Sequence, residues 1–321
     1  MATQTDTLAR LDPGSHVAII RLRSLGDCVL STPAIHLLKQ ARPDLKIAVV
    51  VEPRFAEVFE GNPDVAHVVP PEISAIREFK PALCLNLHGG PRSAVLTLSS
   101  GARLCAGFEI FRPGFMYNLR IPTAQEILGV ARRVHTAEHA AAAMFYLGVP
   151  IDTVPRAFVP APAGRSKYAP DEPYAVIHPL AATPEKTWPP GNFVALADHL
   201  QSALGLRPVI IAGPGEDLTP FYKWRTVAGA PLAEVARLMR DAAFFAGNDS
   251  GPAHVAAAFG VPQFIVFGPS DSEVWAPWRT PAEVLKASGP ANSINSISVG
   301  QAIQAIERLR VEITSTRVQT S

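Results

Sequence analysis

A chain of 321 residues with 48% hydrophobic side chains is long enough to fill two hydrophobic cores, so two domains are the default. Its 29 basic and 28 acidic residues leave a formal charge of +1, which excludes a global attraction to nucleic acid or to an anionic membrane; any anionic partner has to be held locally. Cys28, Cys84 and Cys105 are too few and too widely spaced for a disulfide framework or a Cys-x-x-Cys metal site.

Residues 1–12 lack a basic stretch leading into an apolar core, and no window reaches the roughly 18 apolar residues of a membrane span, so a soluble, cytoplasmic protein is expected. In chain order, β-branched runs at residues 17–22, 47–51, 82–87, 174–178, 208–212 and 263–267 alternate with segments of helical periodicity at 35–41, 136–147, 193–204 and 252–259. The last three helical segments run into Gly148, Gly205 and Gly260, the expected C-terminal stop. Such alternation predicts an α/β protein with parallel sheets and helical crossovers. A proline-rich stretch at 154–173 reads as an interdomain linker and sets an expected division into 1–165 and 166–321. Residues 299–313 read as a terminal helix and 314–321 as a frayed polar tail. Residues 77–165 carry ten basic and five acidic side chains, either a solvated basic face or a surface for a phosphorylated partner.

Three constellations carry chemistry. The first, Arg21-Leu22-Arg23-Ser24-Leu25-Gly26-Asp27, directly follows the first run, at the carboxyl end of a strand where open parallel sheets bind ligands. Asp27 is there either a functional carboxylate or an ordinary helix cap. Thr32-Pro33 fits an N-cap with proline at the first helical position, and it fits a Pro-kinked helix starting near Asp27 equally well. The second runs from His178-Pro179 to Trp188-Pro189. Within it Lys186 offers a mobile ammonium to a phosphate oxygen, or is a surface lysine beside a structural tryptophan, and His178 reads as a strand-end histidine satisfied by backbone.

The third, Gly247-Asn248-Asp249-Ser250-Gly251-Pro252-Ala253-His254, follows the apolar run 242–246 and opens an Ala-rich helix. Free N–H groups and the positive end of the helix dipole make a diphosphate site there, and Ser250 and Gly251 allow close approach. Asp249 would repel phosphate and suits ribose hydroxyls better, and His254 reads as a buried structural histidine before a catalytic one. Asp271-Ser272-Glu273 is an isolated acidic triplet and no other paired carboxylates have metal spacing, which favours metal-independent chemistry. No GxGxxG follows the first strand, which argues against an NAD dehydrogenase.

In this order and at these distances the segments resemble the family nine glycosyltransferases, the ADP-heptose lipopolysaccharide heptosyltransferases. The family's R-x-x-x-x-GD-x-x-x-x-x-PA loop appears as Arg21 through Gly26-Asp27 to Pro33-Ala34, and its HPG-x-x-x-x-x-K-x-WP loop as His178-Pro179 through Lys186 to Trp188-Pro189. The GNDSGPAH segment is intact, and Phe267-Gly268-Pro269 to Trp278 matches the segment after it. Three positions depart from the pattern: Leu180 replaces the usual glycine, Ala182 a common hydroxyl residue that Thr183 would replace, and Asn86 a common aspartate.

The resemblance implies a GT-B fold of two facing Rossmann-like domains, acceptor on the first and nucleotide sugar on the second, with a terminal helix that often crosses back to the first domain. It implies metal-independent transfer with inversion from ADP-heptose to a lipid-linked glycan, the lipopolysaccharide inner core. No cofactor beyond the donor and no nucleic acid would be involved, and at most peripheral contact with the inner face of the cytoplasmic membrane. It makes Asp27 the general base and Lys186 the group that stabilises the leaving diphosphate. Asp249 would bind ribose or sugar and Ser250 with Gly251 phosphate, joined in the donor site by Thr183, Glu216 and His254, while Arg92 and Arg120 would face the acceptor. A sugar-nucleotide epimerase or hydrolase of similar architecture, or a catalytically silent binding module, are the alternatives.

Overall fold

A strand in the interior of a parallel sheet is covered on both faces, so it needs a nearly unbroken apolar run instead of an alternating one. The computed structural model, which describes residues 3–287 and 293–320, turns each such run into an interior strand. The chain divides into two compact units between Pro160 and Ala161.

The first unit contains His16–Ile20 (β1), Leu25–Ala41 (α1), Lys46–Val50 (β2), His67–Val69 (β3), Ile73–Phe79 (α2), Leu83–Asn86 (β4), Pro91–Ser99 (α3), Leu104–Phe108 (β5), Leu119–Ile121 (β6), Ala124–Leu128 (α4) and Thr136–Leu147 (α5). Its six strands are all parallel, in the order β3-β2-β1-β4-β5-β6. Helix α1 begins just before Asp27 and continues through Pro33, so Thr32 is not an N-cap. Pro33 has no N–H to give the carbonyl of Val29 four residues back. The Thr32 hydroxyl supplies that bond at 2.7 Å and accepts the backbone N–H of Phe158 at 2.9 Å. Helix α5 packs along α1, and Phe158 ties the chain leaving the unit to the same helix.

The second unit contains Tyr174–His178 (β7), Pro190–Leu204 (α6), Arg207–Ala212 (β8), Arg225–Ala228 (β9), Leu232–Arg240 (α7), Phe244–Asn248 (β10), Gly251–Ala258 (α8), Gln263–Phe267 (β11), Ser272–Trp275 (α9), Ala282–Lys286 (β12), Val299–Arg308 (α10) and Arg310–Thr320 (α11). Its strands are again all parallel, ordered β12-β11-β10-β7-β8-β9. Counted within the unit, this repeats the order of the first, and both are the doubly wound arrangement of a Rossmann-like sheet.

Three expectations change. The linker begins as part of the first unit, through Phe158, and passes into the second within a few residues. There Arg237 and Arg240 hold the carbonyl of Pro162, Arg240 also holds that of Gly164, and Ser166 bonds Glu234, which puts the boundary ahead of the expected 165/166. Residues 299–313 form not one helix but parts of two, broken at Leu309, and their apolar residues Ala302, Ala305, Ile306, Leu309 and Ile313 lie in the core of the second unit. The tail expected to fray is helical as far as Thr320; Ser321 lies outside the described residues.

Candidate active site

In a doubly wound sheet, ligands bind at the carboxyl ends of the strands where the strand order reverses. In the first unit that point lies between β1 and β4. The chain leaving β1 carries Arg21, Ser24 and Asp27. Asp27 sits in the first turn of α1 with its side chain 24% exposed, yet it caps no backbone amide there. One carboxylate oxygen accepts from Nη1 of the buried Arg21 at 2.9 Å and the other from the Ser24 hydroxyl at 3.1 Å. Two side-chain donors fix the orientation of a carboxylate that still reaches solvent.

The chain leaving β4 carries Asn86 and His88. Asn86 is fully buried and uses all four of its hydrogen-bonding positions: the amide donates to Ser93 and Tyr117, and the carbonyl accepts from the backbone of His88 and Gly89. Ser93 already donates to the carbonyl of Gly89, so it needs a donor opposite it, which asparagine has and aspartate lacks. Burial, and after it the nearby Arg21, lowers the half-buried His88 below the usual histidine range, and Asp27 and Glu52 act on the ring in the opposite direction. Arg92 pairs with Glu52 at 3.1 Å. Arg120, on the edge strand β6, lies instead beside Gly114, so the two arginines expected at one acceptor surface belong to different local groups.

In the second unit the order reverses between β7 and β10, and the two loops there hold the second and third constellations. Asn248 ends β10 fully buried. Its carbonyl accepts the backbone N–H of Trp188 at 2.9 Å and its amide donates to the carbonyl of Pro179 at 2.9 Å, so one side chain closes both ends of the Lys186 loop. Trp188 is itself fully buried, stacked edgewise on Phe193, with its indole N–H on the carbonyl of Ile297. The middle of the loop lies on Gly268, where a Cβ would stand 2.4 Å from the carbonyl oxygen of Glu185. This framework presents Lys186 to Asp249 at 3.2 Å, with the lysine side chain 35% exposed and the aspartate 9%.

His178 is not satisfied by backbone as expected: its Nδ1 meets the Ser250 hydroxyl at 3.0 Å. Burial pushes this imidazole down to about 4. Ser250 stands at the N-cap of α8 without making a side-chain cap, and Gly251 opens the helix. The first turn of α8 is thus left without the serine cap that usually satisfies such amides. His254 is buried one turn further on, 6.5 Å between ring centres from Trp275. Thr183 is exposed, its hydroxyl turned to Glu185, and Glu216 is exposed with its carboxylate folded back on the N–H of Gly213 at 2.5 Å. Asp271 caps α9 through the N–H of Glu273, and among the described residues no three His, Cys, Asp or Glu side chains gather where a metal ion could be held.

Of the residues singled out in sequence, Lys186 and Asp249 come into direct contact, Ser250 and Gly251 adjoin them, and Asp27 occupies the corresponding point of the other sheet. Sequence reasoning missed Ser24, His88 and the bridging role of Asn248. A position at the carboxyl end of an interior strand or in the loop that follows it was the signal available for each.

The model of glycosyltransferase family 9 (heptosyltransferase) matches residues 74–296. Among curated proteins, lipopolysaccharide heptosyltransferase 3 of Escherichia coli is 26% identical over 80% of this chain and 84% of its own length. Among solved structures, the glycosyl transferase family 9 protein of Veillonella parvula superposes with a TM-score of 0.80 at 23% identity, over 96% of this chain and 99% of that one. The E. coli heptosyltransferase WaaC with ADP superposes with a TM-score of 0.74 at 21% identity, over 91% and 99%. These structural likenesses share the GT-B fold.

Proposed function

This chain belongs to glycosyltransferase family 9, the heptosyltransferase family, and from that premise we propose that it transfers heptose from ADP-heptose to a hydroxyl of a lipopolysaccharide inner core with inversion at the anomeric carbon. Asp27 accepts the proton of the acceptor hydroxyl, whose oxygen forms the new bond to the anomeric carbon. The bond from that carbon to the diphosphate breaks, and ADP leaves with the electron pair. The negative charge that collects on the diphosphate meets the Lys186 ammonium and the first-turn amides of α8, an electrostatic stabilisation of the kind that dominates many transfer reactions and that requires no metal ion. Asp249, which repels phosphate, takes the ribose or sugar hydroxyls.

The observation that carries this reading is the 3.2 Å pair of Lys186 and Asp249 beside the open N-terminus of α8, a cation, a hydroxyl acceptor and phosphate-seeking amides in one place. A thermal-shift series with ADP, UDP, GDP and dTDP tests the donor, because a ligand that binds only the native state raises its stability by mass action. ADP is expected to give the largest shift, and incubation of ADP-heptose with a heptose-free core is expected to release ADP only when the core is present. A larger shift with another nucleotide, or equal ADP release without acceptor, overturns the assignment.

A further inference from the structure

Nine large apolar side chains are conspicuously exposed among the described residues, and four of them, Val95, Leu98, Ile110 and Phe115, fall within one short stretch of the first unit. Val95 and Leu98 stand three residues apart on α3, and the turn carrying Phe115 packs against that helix. Phe115 is 74% exposed and Ile110 55%. Neither exposure comes from a loose loop, since the segment is pinned from inside at both ends. Phe111 packs edgewise on Phe108 and against Gly89, and buried Tyr117 bonds Asn86 and fills the space a side chain on Gly107 would need. Between these anchors the guanidinium groups of Arg112 and Arg120 both reach Gly114, the residue before Phe115. Among the described residues neither arginine has a carboxylate partner, and Arg112 bonds only the backbone carbonyl of Glu109.

A rigidly held aromatic tip flanked by uncompensated arginines is the chemistry that suits the interface of an anionic bilayer, where apolar side chains enter the acyl boundary and guanidinium groups meet phosphate. The guanidinium groups of Arg112 and Arg120, unpaired with any carboxylate among the described residues and set beside these apolar side chains, favour such a bilayer over a protein partner, whose interface core is typically depleted of charge. We propose that residues 109–116, with the exposed face of α3, form a docking surface for a bilayer containing anionic lipids. The segment leaves the carboxyl end of β5, on the same rim of the sheet as Asp27, and Phe111 rests on Gly89 in the loop that also carries His88. The bilayer contact stands without the transferase reading; its use, to offer a lipid-linked acceptor to that rim, rests on it.

Vesicle flotation without donor or acceptor tests the proposal independently of catalysis. The wild-type chain is expected to bind vesicles containing phosphatidylglycerol, to bind pure phosphatidylcholine far more weakly, and to be released as salt is raised. Phe115→Ser combined with Ile110→Ser is expected to weaken binding by about tenfold or more, because burial of a large apolar side chain is lost. Arg112→Glu is expected to weaken it by roughly fivefold for each of the two unit charges changed. Phe115→Trp should retain binding, and all these variants should keep wild-type ADP affinity. Equal binding to both lipids, no vesicle binding by the wild type, or wild-type binding by the variants overturns the proposal. So does a change of oligomeric state on Phe115→Ser with vesicle binding intact, which would make the patch a protein interface.

Discussion

Asp27 accepts two side-chain hydrogen bonds and none from the backbone amides of the helix in whose first turn it sits, so its carboxylate is oriented but not consumed. Asp27→Asn keeps that shape, its one oxygen still accepting from Arg21 while its amide donates to the Ser24 hydroxyl, which can rotate to accept, but it cannot take up the acceptor proton. Turnover is expected to fall about a hundredfold to ten-thousandfold with thermal stability and ADP affinity little changed. Near-wild-type turnover in a stable mutant would refute the base assignment. Lys186 is the complementary case, a cation already matched to Asp249 before any donor binds. Lys186→Ala removes a charged hydrogen bond from a group that gains charge as the glycosidic bond breaks, so kcat and ADP affinity should each fall, by roughly tenfold to a hundredfold overall. If calorimetry and kinetics both stay at wild-type values, Lys186 does not meet the diphosphate.

The Lys186 loop behaves as one element because Asn248 bridges its ends and Gly268 supports its middle. Asn248→Ala leaves the buried N–H of Trp188 and carbonyl of Pro179 without partners, at about 1–3 kcal/mol each, and loosens the loop that presents the lysine. Thermal denaturation should show the lost stability, and calorimetry a weaker ADP complex. In a Lys186→Ala background the same substitution should still lower the melting temperature but no longer affect ADP binding. Additive losses of ADP affinity would mean that Asn248 acts on the site by a route other than Lys186. Gly268→Ala is expected to destabilise for a different reason, since the added methyl meets a backbone carbonyl that has no rotamer in which to move.

Desolvation pushes the imidazoles of His139, partly buried and stacked on Phe108 in the first unit, and of His178, buried in the second, down to about 4. Desolvation disfavours the charged ring in the native state, whereas the unfolded chain takes up the proton near the ordinary histidine value of about 6.5. Between those values the unfolded state binds more protons, so the stability these rings contribute is complete above the upper one and is lost as pH falls toward 4. Melting temperature should therefore drop across that window, and His139→Phe should flatten the drop; a pH-independent melting temperature there would show that the rings are not buried as neutral species. The sequence alone determined the α/β class, most of the interior strands and the loops that carry Asp27, Lys186 and Asp249, because strands covered on both faces must be apolar throughout. It did not reveal β3, β6, β9 or β12, the four edge strands, whose exposed flank permits polar and short sequences, nor β5, whose small residues Cys105, Ala106 and Gly107 lack a β-branched signature. Nor could it reveal which partners meet in the site. Lys186 lies 63 residues from Asp249 and His178 72 from Ser250, and only the pairing of β7 with β10 brings these side chains within hydrogen-bonding distance.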